Sequence, residues 1–315
     1  MGSFLAQRLA GLVAALAAAS VLIFVAVEVL PGDPARAMLG IAAEPSAVAA
    51  LQRELGLDQP AAARYVRWVG GMLAGDLGQS WAYRVPVAEL LGPRLAVTLP
   101  LALLAMALTV AVGLGLGVIA ALHPRRFGDV AAMTFAQAGM AIPNFWLGLL
   151  LILLFAVHLD WLPAGGFPGW QAGTGPALAA LVLPALSLAA VQSAILARVS
   201  RAALLDVARD DFVRTARAKG LGHRRAIVRH ALRNALVPIT ALMGLQFAYL
   251  VAGTVIIENV FFLPGLGRFV FQAIANRDLI VVESVVFLLA ALVIVVTFIT
   301  DVAARAIDPR LRGRQ

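Results

Sequence analysis

The sequence contains no cysteine and few charged residues, and both shortages restrict what the chain can be. Without cysteine it has no disulfide framework, no thiolate nucleophile and no cysteine metal site. Charged residues make up 13% of its 315 residues, about half the share usual in soluble proteins, whereas 62% are hydrophobic. A water-soluble fold of this length cannot cover its surface with so few solvated groups. The composition therefore excludes a soluble enzyme and indicates a membrane protein.

Lysine and histidine are also scarce, which limits the chemistry open to the chain. Its single lysine, Lys219, is followed by glycine, so the Gly-Lys-Ser/Thr pattern of a phosphate-binding loop is missing. The four histidines are too far apart for metal-ligand spacing, and none lies in the middle of a long apolar run, as an intramembrane serine protease requires. We therefore expect no catalytic residue, no metal ligand and no bound cofactor in this chain.

Apolar runs long enough to cross a bilayer occur six times. A helix needs about 20 apolar residues to span the hydrocarbon core. The predicted spans are residues 9–27, 96–122, 130–157, a fourth from about 177, 235–257 and 279–300. A cleaved signal peptide is the alternative for the first run, although a signal core is only about 7 to 15 residues long. The sequence thus predicts an all-α membrane protein with six transmembrane helices.

Charged residues indicate how these spans are oriented and used. Loops rich in Arg and Lys stay on the cytoplasmic side. Seventeen of the 25 basic residues lie before the first span, between the second and third, within 198–234, or after the last span. Both termini are therefore predicted to be cytoplasmic, and the net charge of +8 reflects topology rather than nucleic-acid binding. Glu28, Glu283 and Asp301 fall near span ends, which argues against an ion-driven carrier.

The spans and their orientation divide the chain into four predicted parts. Residues 1–30 hold the first transmembrane helix, 31–94 form an extracytoplasmic helical segment, 95–305 hold five helices, and 306–315 form a cytoplasmic tail. In the extracytoplasmic segment, Ser46 is a candidate cap for a helix that Gly56 ends, and Pro60 opens a second helix.

Small and polar residues within the spans predict how the helices pack. Gly113, Gly115 and Gly117 favour close helix packing over a cofactor loop, and Pro143, Pro184 and Pro238 mark kinks. Four amides also fall in predicted spans. Gln137 and Asn144 lie seven residues apart on one face of the third span, and the other two are Gln192 and Gln246. These amides either line a translocation path or form interhelical hydrogen bonds, and the sequence favours neither role.

The basic segment 198–234 has the pattern of a helical hairpin. Asp210 and Asp211 precede a short helix that Gly220 ends in a left-handed cap, and a second helix is predicted over 224–235. By charge alone, a plain solvated hairpin explains this segment equally well.

The amino-acid sequence of this hairpin resembles the coupling loop of ABC importer permeases in the dipeptide, oligopeptide and nickel branch. The resemblance rests on DFVRTARAKGL at 211–221 and RHALRNALVP at 229–238. Further motifs agree with that branch in chain order, namely LPGDP at 30–34, GDLGQS at 75–80, LPGLGR at 263–268 and NRD at 276–278. The resemblance implies the type I importer permease architecture.

The same resemblance assigns an ATPase-coupling role to one short helix. Arg214 stands where the wider family has glutamate. A helix that ends at Gly220 still forms a rigid projection, and its cations are suited to an acidic groove on an ATPase subunit. The coupling residues that it implies are Asp211, Phe212, Arg214, Thr215, Ala216, Arg217, Lys219, Gly220 and Leu221.

The function that the resemblance implies is that of a non-catalytic permease subunit in the bacterial cytoplasmic (inner) membrane. It forms the pathway of an ATP-driven, binding-protein-dependent importer for di- or oligopeptides, with nickel or another small solute as the alternative. The implied partners are a second, different permease, two ABC ATPase subunits that bind ATP, an extracytoplasmic substrate-binding protein and membrane lipid, with no nucleic acid. A channel or structural subunit without energy coupling explains the spans but not the glycine-stopped helix.

Overall fold

The computed structural model describes residues 2–29, 33–40 and 42–307, and these are almost entirely helical. Most of the predicted tail and the first part of the LPGDP motif lie outside the described residues. The α-helices are α1 Gly2–Glu28, α2 Pro34–Leu39, α3 Pro45–Glu54, α4 Ala61–Leu73, α5 Val87–Leu122, α6 Phe127–Ala141, α7 Asn144–Leu151, α8 Thr174–Val207, α9 Asp211–Ala218, α10 His223–Ala226, α11 Leu232–Val260, α12 Leu266–Ala275 and α13 Leu279–Ile307. π-helical turns follow α7 (Ile152–His158) and α10 (Ile227–Ala231), and a 3-10 turn, Trp170–Ala172, precedes α8.

The chain forms two compact units. The first comprises Met1–Leu5, Thr98–Leu263 and Val295–Gln315, and the second comprises Ala6–Val97 and Pro264–Ile294. Among the described residues, five helices are long and apolar enough to cross a membrane, or six spans if the bent pair α6 and α7 counts as one. The prediction of an all-α chain with six spans therefore holds only when the third span is counted as bent.

Helix α8 forms the centre of the first unit. It contacts α6, α7 and α11. Its sequence is apolar around most of its circumference, and a helix of this kind is stable only when other helices surround it. Sixteen of its residues are buried, among them Leu181, Leu188, Leu196 and Leu204.

Two glycines of α5 permit the close packing that the sequence predicts. A Cβ at Gly113 would lie 2.8 Å from the Ser193 carbonyl oxygen, and one at Gly117 would lie 2.9 Å from the Ala197 carbonyl oxygen. Any larger residue at either position would push α5 away from α8. Gly115 has open space around its Cβ position, so only the outer pair forms the contact.

The third predicted span is broken rather than straight. Helix α6 ends at Ala141 and α7 begins at Asn144, with a bend of 101° between the first helix and the α7 segment. Pro143 lacks an N–H group and disfavours helical geometry in the preceding residue, and Ile142 is accordingly extended, with φ −96° and ψ 123°. The prediction that Gln137 and Asn144 share one helical face is therefore wrong.

Several helices continue past the points where charges end the apolar runs. Helix α8 passes through Arg198 to Val207, and α5 starts at Val87 although Arg94 lies within it. The helix predicted over 224–235 is not separate, because α10 and its π turn lead directly into α11. A charge marks where a chain can leave the lipid, not where its backbone hydrogen bonding ends, so the hairpin connection shortens from 198–234 to 208–222.

In the second unit, short helices α2, α3, α4 and α12 accompany parts of α1, α5 and α13. Helix α3 begins at Pro45 with Glu44 as its N-cap residue, so the predicted cap at Ser46 is wrong, whereas Gly56 follows the helix end with φ +69°. Proline suits the first helical position because that N–H needs no partner. The sequence did not predict α12, whose buried residues include Leu266 and Phe269.

Aromatic residues hold α4 against α1 and α13 within this unit. The ring of Tyr65 lies 5.4 Å from that of Phe24, and the ring of Trp68 lies 5.9 Å from that of Phe287. Arg64 donates a hydrogen bond to the Glu28 carboxylate beside them. The Tyr65 and Trp68 side of α4 thus packs on protein.

Cysteines at Gly70 and Gly222 test the predicted topology. Both positions are exposed, and a Cβ at either would meet no other part of the protein within 4 Å. We expect a membrane-impermeant maleimide to label Gly70→Cys in intact cells, but Gly222→Cys only after permeabilisation. Gly71 is a poorer position, because its Cβ would lie 2.7 Å from the Asp76 carbonyl oxygen. Labelling of both thiols from outside would contradict the topology.

Candidate coupling segment and polar cavity

Residues 208–222, which we call the coupling segment, connect α8 to α10 and contain helix α9. Asp210 has extended backbone geometry at the N-cap position, and its carbonyl oxygen accepts from Val213 N and Arg214 N at 3.0 and 3.1 Å. Asp211 places an acid in the first turn and Arg217 a base in the last, an order that the helix dipole favours. The short helix predicted from the sequence is therefore present over Asp211–Ala218.

Gly220 ends this helix in the left-handed conformation that the sequence predicts. Its φ is +92°, which a residue with a Cβ rarely adopts. Gly220 N donates to the Arg217 carbonyl oxygen at 2.9 Å, and Leu221 N donates to the Ala216 carbonyl oxygen at 3.2 Å. These bonds satisfy carbonyl groups that the helix end would leave unpaired, so the chain reverses within two residues.

The coupling segment is fixed to the protein by apolar contacts on one side. Val213 is buried in a cluster with Leu204 from α8 and Ala226 and Ile227 from the α10 region, and Leu221 packs against the same cluster. Burial of such side chains stabilises the segment by about 1.5 kcal/mol or more each. The helix is thus held as a fixed projection rather than a free loop.

The opposite side of the coupling segment is exposed and basic. The carboxylate of Asp211 lies 3.6 Å from Arg214, but both side chains are largely exposed, so this pair contributes little to stability. Phe212 adds a partly exposed ring. The exposed residues that the sequence assigns to coupling are Asp211, Phe212, Arg214, Thr215, Arg217, Lys219 and Gly220.

A second basic stretch lies beside the coupling segment. The sequence did not predict that these two stretches are neighbours. The turn after α5, with Arg126, shares a cavity of about 770 Å³ with Arg217 and Arg224. His123 and His223 also line it. The basic surface is therefore broader than the segment alone, and it is built from two connections that are far apart in sequence.

A partly buried ion pair joins this turn to α8. Arg201 donates to Asp129 through Nε at 2.5 Å and through Nη2 at 2.6 Å. The Asp129 carboxylate also accepts from Arg125 N at 2.8 Å, which holds the turn before α6. Sequence reasoning missed the pair, because it began the third span at residue 130 and assigned Arg201 to the solvated hairpin. The sequence did contain one signal: Asp129 lies next to a span, where an acid without a partner is costly.

The four amides predicted for the translocation path have different surroundings. Asn144 and Gln192 line one cavity of about 390 Å³. Gln246 is buried and donates through Nε2 to the Gln192 carbonyl oxygen at 2.9 Å, so it forms the interhelical bond that was the alternative interpretation. Gln137 is exposed on α6 and does not line the cavity.

Two of the sequence motifs meet in the second unit. Ser80, which ends the GDLGQS motif, donates through Oγ to the Asp278 carboxylate of the NRD motif at 2.5 Å. Ala82 N donates to the same carboxylate oxygen at 3.0 Å. Because Asp278 is buried, these donors balance its desolvation and fix the connection between α12 and α13.

Family models match almost the whole chain. One, described as "Binding-protein-dependent transport system inner membrane component", matches residues 113–313. A second, described as "Binding-prot-dependent transport system membrane comp, N-term", matches residues 1–102.

Two named relatives match this chain over almost its full length. The chain is 38% identical over 312 residues to the "Probable peptide ABC transporter permease protein y4tP" of Sinorhizobium fredii (strain NBRC 101917 / NGR234), covering 99% of this chain and 100% of that protein. It is also 38% identical over 318 residues to the "Glutathione transport system permease protein GsiC" of Escherichia coli (strain K12), covering 99% of each.

Among solved structures, the chain resembles one from the methionine ABC transporter MetNI in an inward-facing conformation. The TM-score is 0.58 at 21% sequence identity, over 70% of this chain and 97% of that chain. A likeness at this identity shows the fold, and it confirms the predicted importer permease architecture.

Loss of this partly buried ion pair should destabilise the chain. Asp129→Ala leaves the Arg201 guanidinium without its carboxylate, and removing the partner of a partly buried charged donor costs about 1 to 3 kcal/mol. We expect a lower thermal unfolding midpoint for the detergent-purified variant. Asp211→Ala is the matched control, because its exposed ion pair contributes little. Equal midpoints for the two variants would show that the Asp129 pair has no stabilising role.

Proposed function

Because the chain belongs to the family of binding-protein-dependent transport system inner membrane components, we propose that it forms the membrane pathway of an importer for di- or oligopeptides. Membership of this family and the long apolar helices make the chain a multi-pass permease subunit of an ABC importer in the bacterial inner membrane. The peptide cargo is supported by two relatives, one named for peptide transport and one for glutathione, which is a tripeptide.

The coupling segment is the observation that carries the proposal. A pathway without energy coupling has no need for an exposed basic helix that a buried valine and a positive-φ glycine hold in a fixed position. Acidic grooves on ATPase subunits are suitable partners for Arg214, Arg217 and Lys219, because opposite charges steer and orient docking. The channel alternative leaves this construction unexplained.

The helices on either side of the coupling segment give the docking event a route into the membrane. Helix α8 enters the segment without a break, and α10, its π turn and α11 leave it as one continuous helical stretch from His223 to Val260. Closure of two ATPase subunits on ATP would therefore displace whole helices, a rigid-body change that close-packed interfaces support.

Family membership implies ATPase and substrate-binding partners. The proposed assembly contains two ABC ATPases, an extracytoplasmic substrate-binding protein and a second homologous permease that is a different polypeptide. The second unit is the proposed surface for the binding protein, since the predicted topology places α2, α3 and α4 outside the cell. In this assembly ATP is bound by the ATPase subunits, and the permease carries no catalytic residue or cofactor.

The purified chain alone should not hydrolyse ATP. Its sequence lacks a phosphate-binding loop, because its single lysine precedes glycine. The measurement is phosphate release from the detergent-solubilised chain, compared with the same chain purified together with its ATPase subunits, which should be active. Turnover by contaminant-free chain would show that this permease is itself an enzyme.

Gly220→Pro should uncouple the transporter without unfolding it. Proline removes the N–H that donates to the Arg217 carbonyl oxygen and cannot adopt the positive φ of this position. We expect normal membrane insertion but loss of both ATPase pull-down and peptide uptake. Gly222→Ala is the matched control, because Gly222 has φ −59° and an unobstructed Cβ position.

Charge reversal at Arg214 and Arg217 tests the same contact without changing the backbone. If both arginines face acids in a partly buried interface, affinity for the ATPase should fall about five- to 150-fold. Arg84→Glu, at an exposed position in the second unit, is the control for charge alone in the ATPase pull-down. Wild-type uptake and undiminished pull-down in the Gly220 and arginine variants would refute the coupling role.

A further inference from the structure

The break between α6 and α7 creates a polar cavity in the first unit. Pro143 and Asn144 line it from the break, and Gln192 lines it from α8. Its volume of about 390 Å³ exceeds the share of liquid volume of a single water, about 30 Å³, many times over. The cavity can therefore hold part of a solute larger than water.

The Gln192 side chain lines this cavity, and its oxygen is an unused hydrogen-bond acceptor that the protein encloses. The residue is 9% exposed, and its side-chain oxygen Oε1 has no hydrogen-bond partner among the described residues. Its backbone carbonyl oxygen is already bound to Gln246 Nε2 at 2.9 Å, which fixes α8 against α11 at this level. Leaving a buried acceptor unpaired is unfavourable, so Gln192 Oε1 favours a ligand that supplies a donor.

Asn144 supplies the complementary group. Its Oδ1 accepts from Phe145 N at 2.9 Å, which orients the side chain and directs the amide nitrogen, Nδ2, to act as a donor. Because Asn144 is the first residue of α7, the break at Pro143 sets its position at the cavity. One acceptor and one donor thus line the same space on two different helices.

The cavity carries no charged side chain. Apart from Asn144 and Gln192, its lining residues are apolar or, at Tyr249, a neutral phenol. A charged terminus or a hydrated metal ion would have no counter-charge there, and desolvation would oppose its entry. A neutral polar group fits this lining better.

We propose that this cavity is a binding site for a neutral peptide group of the cargo. The Gln192 side chain turns its enclosed oxygen towards the cavity, the peptide N–H donates to Gln192 Oε1, and the peptide C=O accepts from Asn144 Nδ2. This inference rests on the proposed peptide import and adds to it the recognised group and the two residues that select it. Since every peptide bond offers the same two groups, the site favours peptides over free metal ions without reading side chains.

An N-methylated peptide bond separates this site from other recognition steps. The complete importer, purified with the subunits that accompany this chain, is placed in proteoliposomes with its binding protein and ATP. Uptake of trialanine is compared with uptake of trialanine methylated at both peptide nitrogens, which has no peptide N–H. Any preference of the binding protein is common to all permease variants and cancels from the comparison between them.

Gln192→Met should reduce the uptake ratio of trialanine to its N-methyl analogue about three- to tenfold relative to wild type, as expected for one lost hydrogen bond. Asn144→Leu, at a less buried position, should raise the KM for both peptides, because both keep the C=O group. Gln137→Leu, outside the cavity, should change neither quantity.

The outcomes separate the inference from the proposed function. A wild-type importer that takes up neither peptide would overturn the proposed cargo and this site with it. Wild-type uptake of trialanine, with an unchanged ratio in Gln192→Met and an unchanged KM in Asn144→Leu, would overturn the site alone. Stimulation of ATP hydrolysis by the loaded binding protein shows that each variant is assembled.

Discussion

The interior of a bilayer offers no water to hydrogen-bond a peptide group, and this constraint determines most of the structure. Each long apolar segment must satisfy its own backbone, which only a helix does within one segment. Where the chain departs from this rule, between α6 and α7, the residues of the break line a cavity. Leu147 N donates to the Pro143 carbonyl oxygen at 3.0 Å, so the helix resumes within one turn.

The same absence of water divides the charged residues into two groups. Several of those within or beside long helices bind a partner in their own unit, as Asp129 does with Arg201, Glu28 with Arg64, and Glu258 with the Thr98 hydroxyl at 2.6 Å. Those of the coupling segment remain exposed on a helix whose other side is buried. Charge inside the protein stabilises its packing, and charge on the coupling segment remains available for another molecule.

Patterns that depend on neighbouring residues could be predicted from the sequence. The apolar runs, the glycine-capped helix ending at Gly220 and the close approach at Gly113 and Gly117 each follow from residues within one or two turns. The long-range pairs could not be predicted. Nothing local in Asp129 or Ser80 identifies Arg201 or Asp278 as its partner, because those contacts arise only when the helices have packed.

The boundaries of the helices could not be predicted from the sequence either, for a related reason. Spans were predicted to end at charged residues, but the cost of a charge in lipid acts on the side chain and leaves the backbone free to remain helical. The continuation of α8 beyond Arg198 and of α5 before Ala96 shows this directly. Among the amides of the predicted path, only the packing of α8 against α11 shows that the Gln246 side-chain nitrogen is bonded to the Gln192 backbone.

The bend of 101° has a consequence for the lipid around the protein. Helix α6 has 15 residues, and at 1.5 Å per residue it is about 22 Å long, shorter than a hydrocarbon core of about 30 Å. An arm of this length does not match the bilayer thickness, even when it stands upright. The membrane beside it must become thinner, or a neighbouring protein must supply the missing height. The bent span therefore constrains whatever lies beside it, lipid or protein, as well as forming one wall of the cavity.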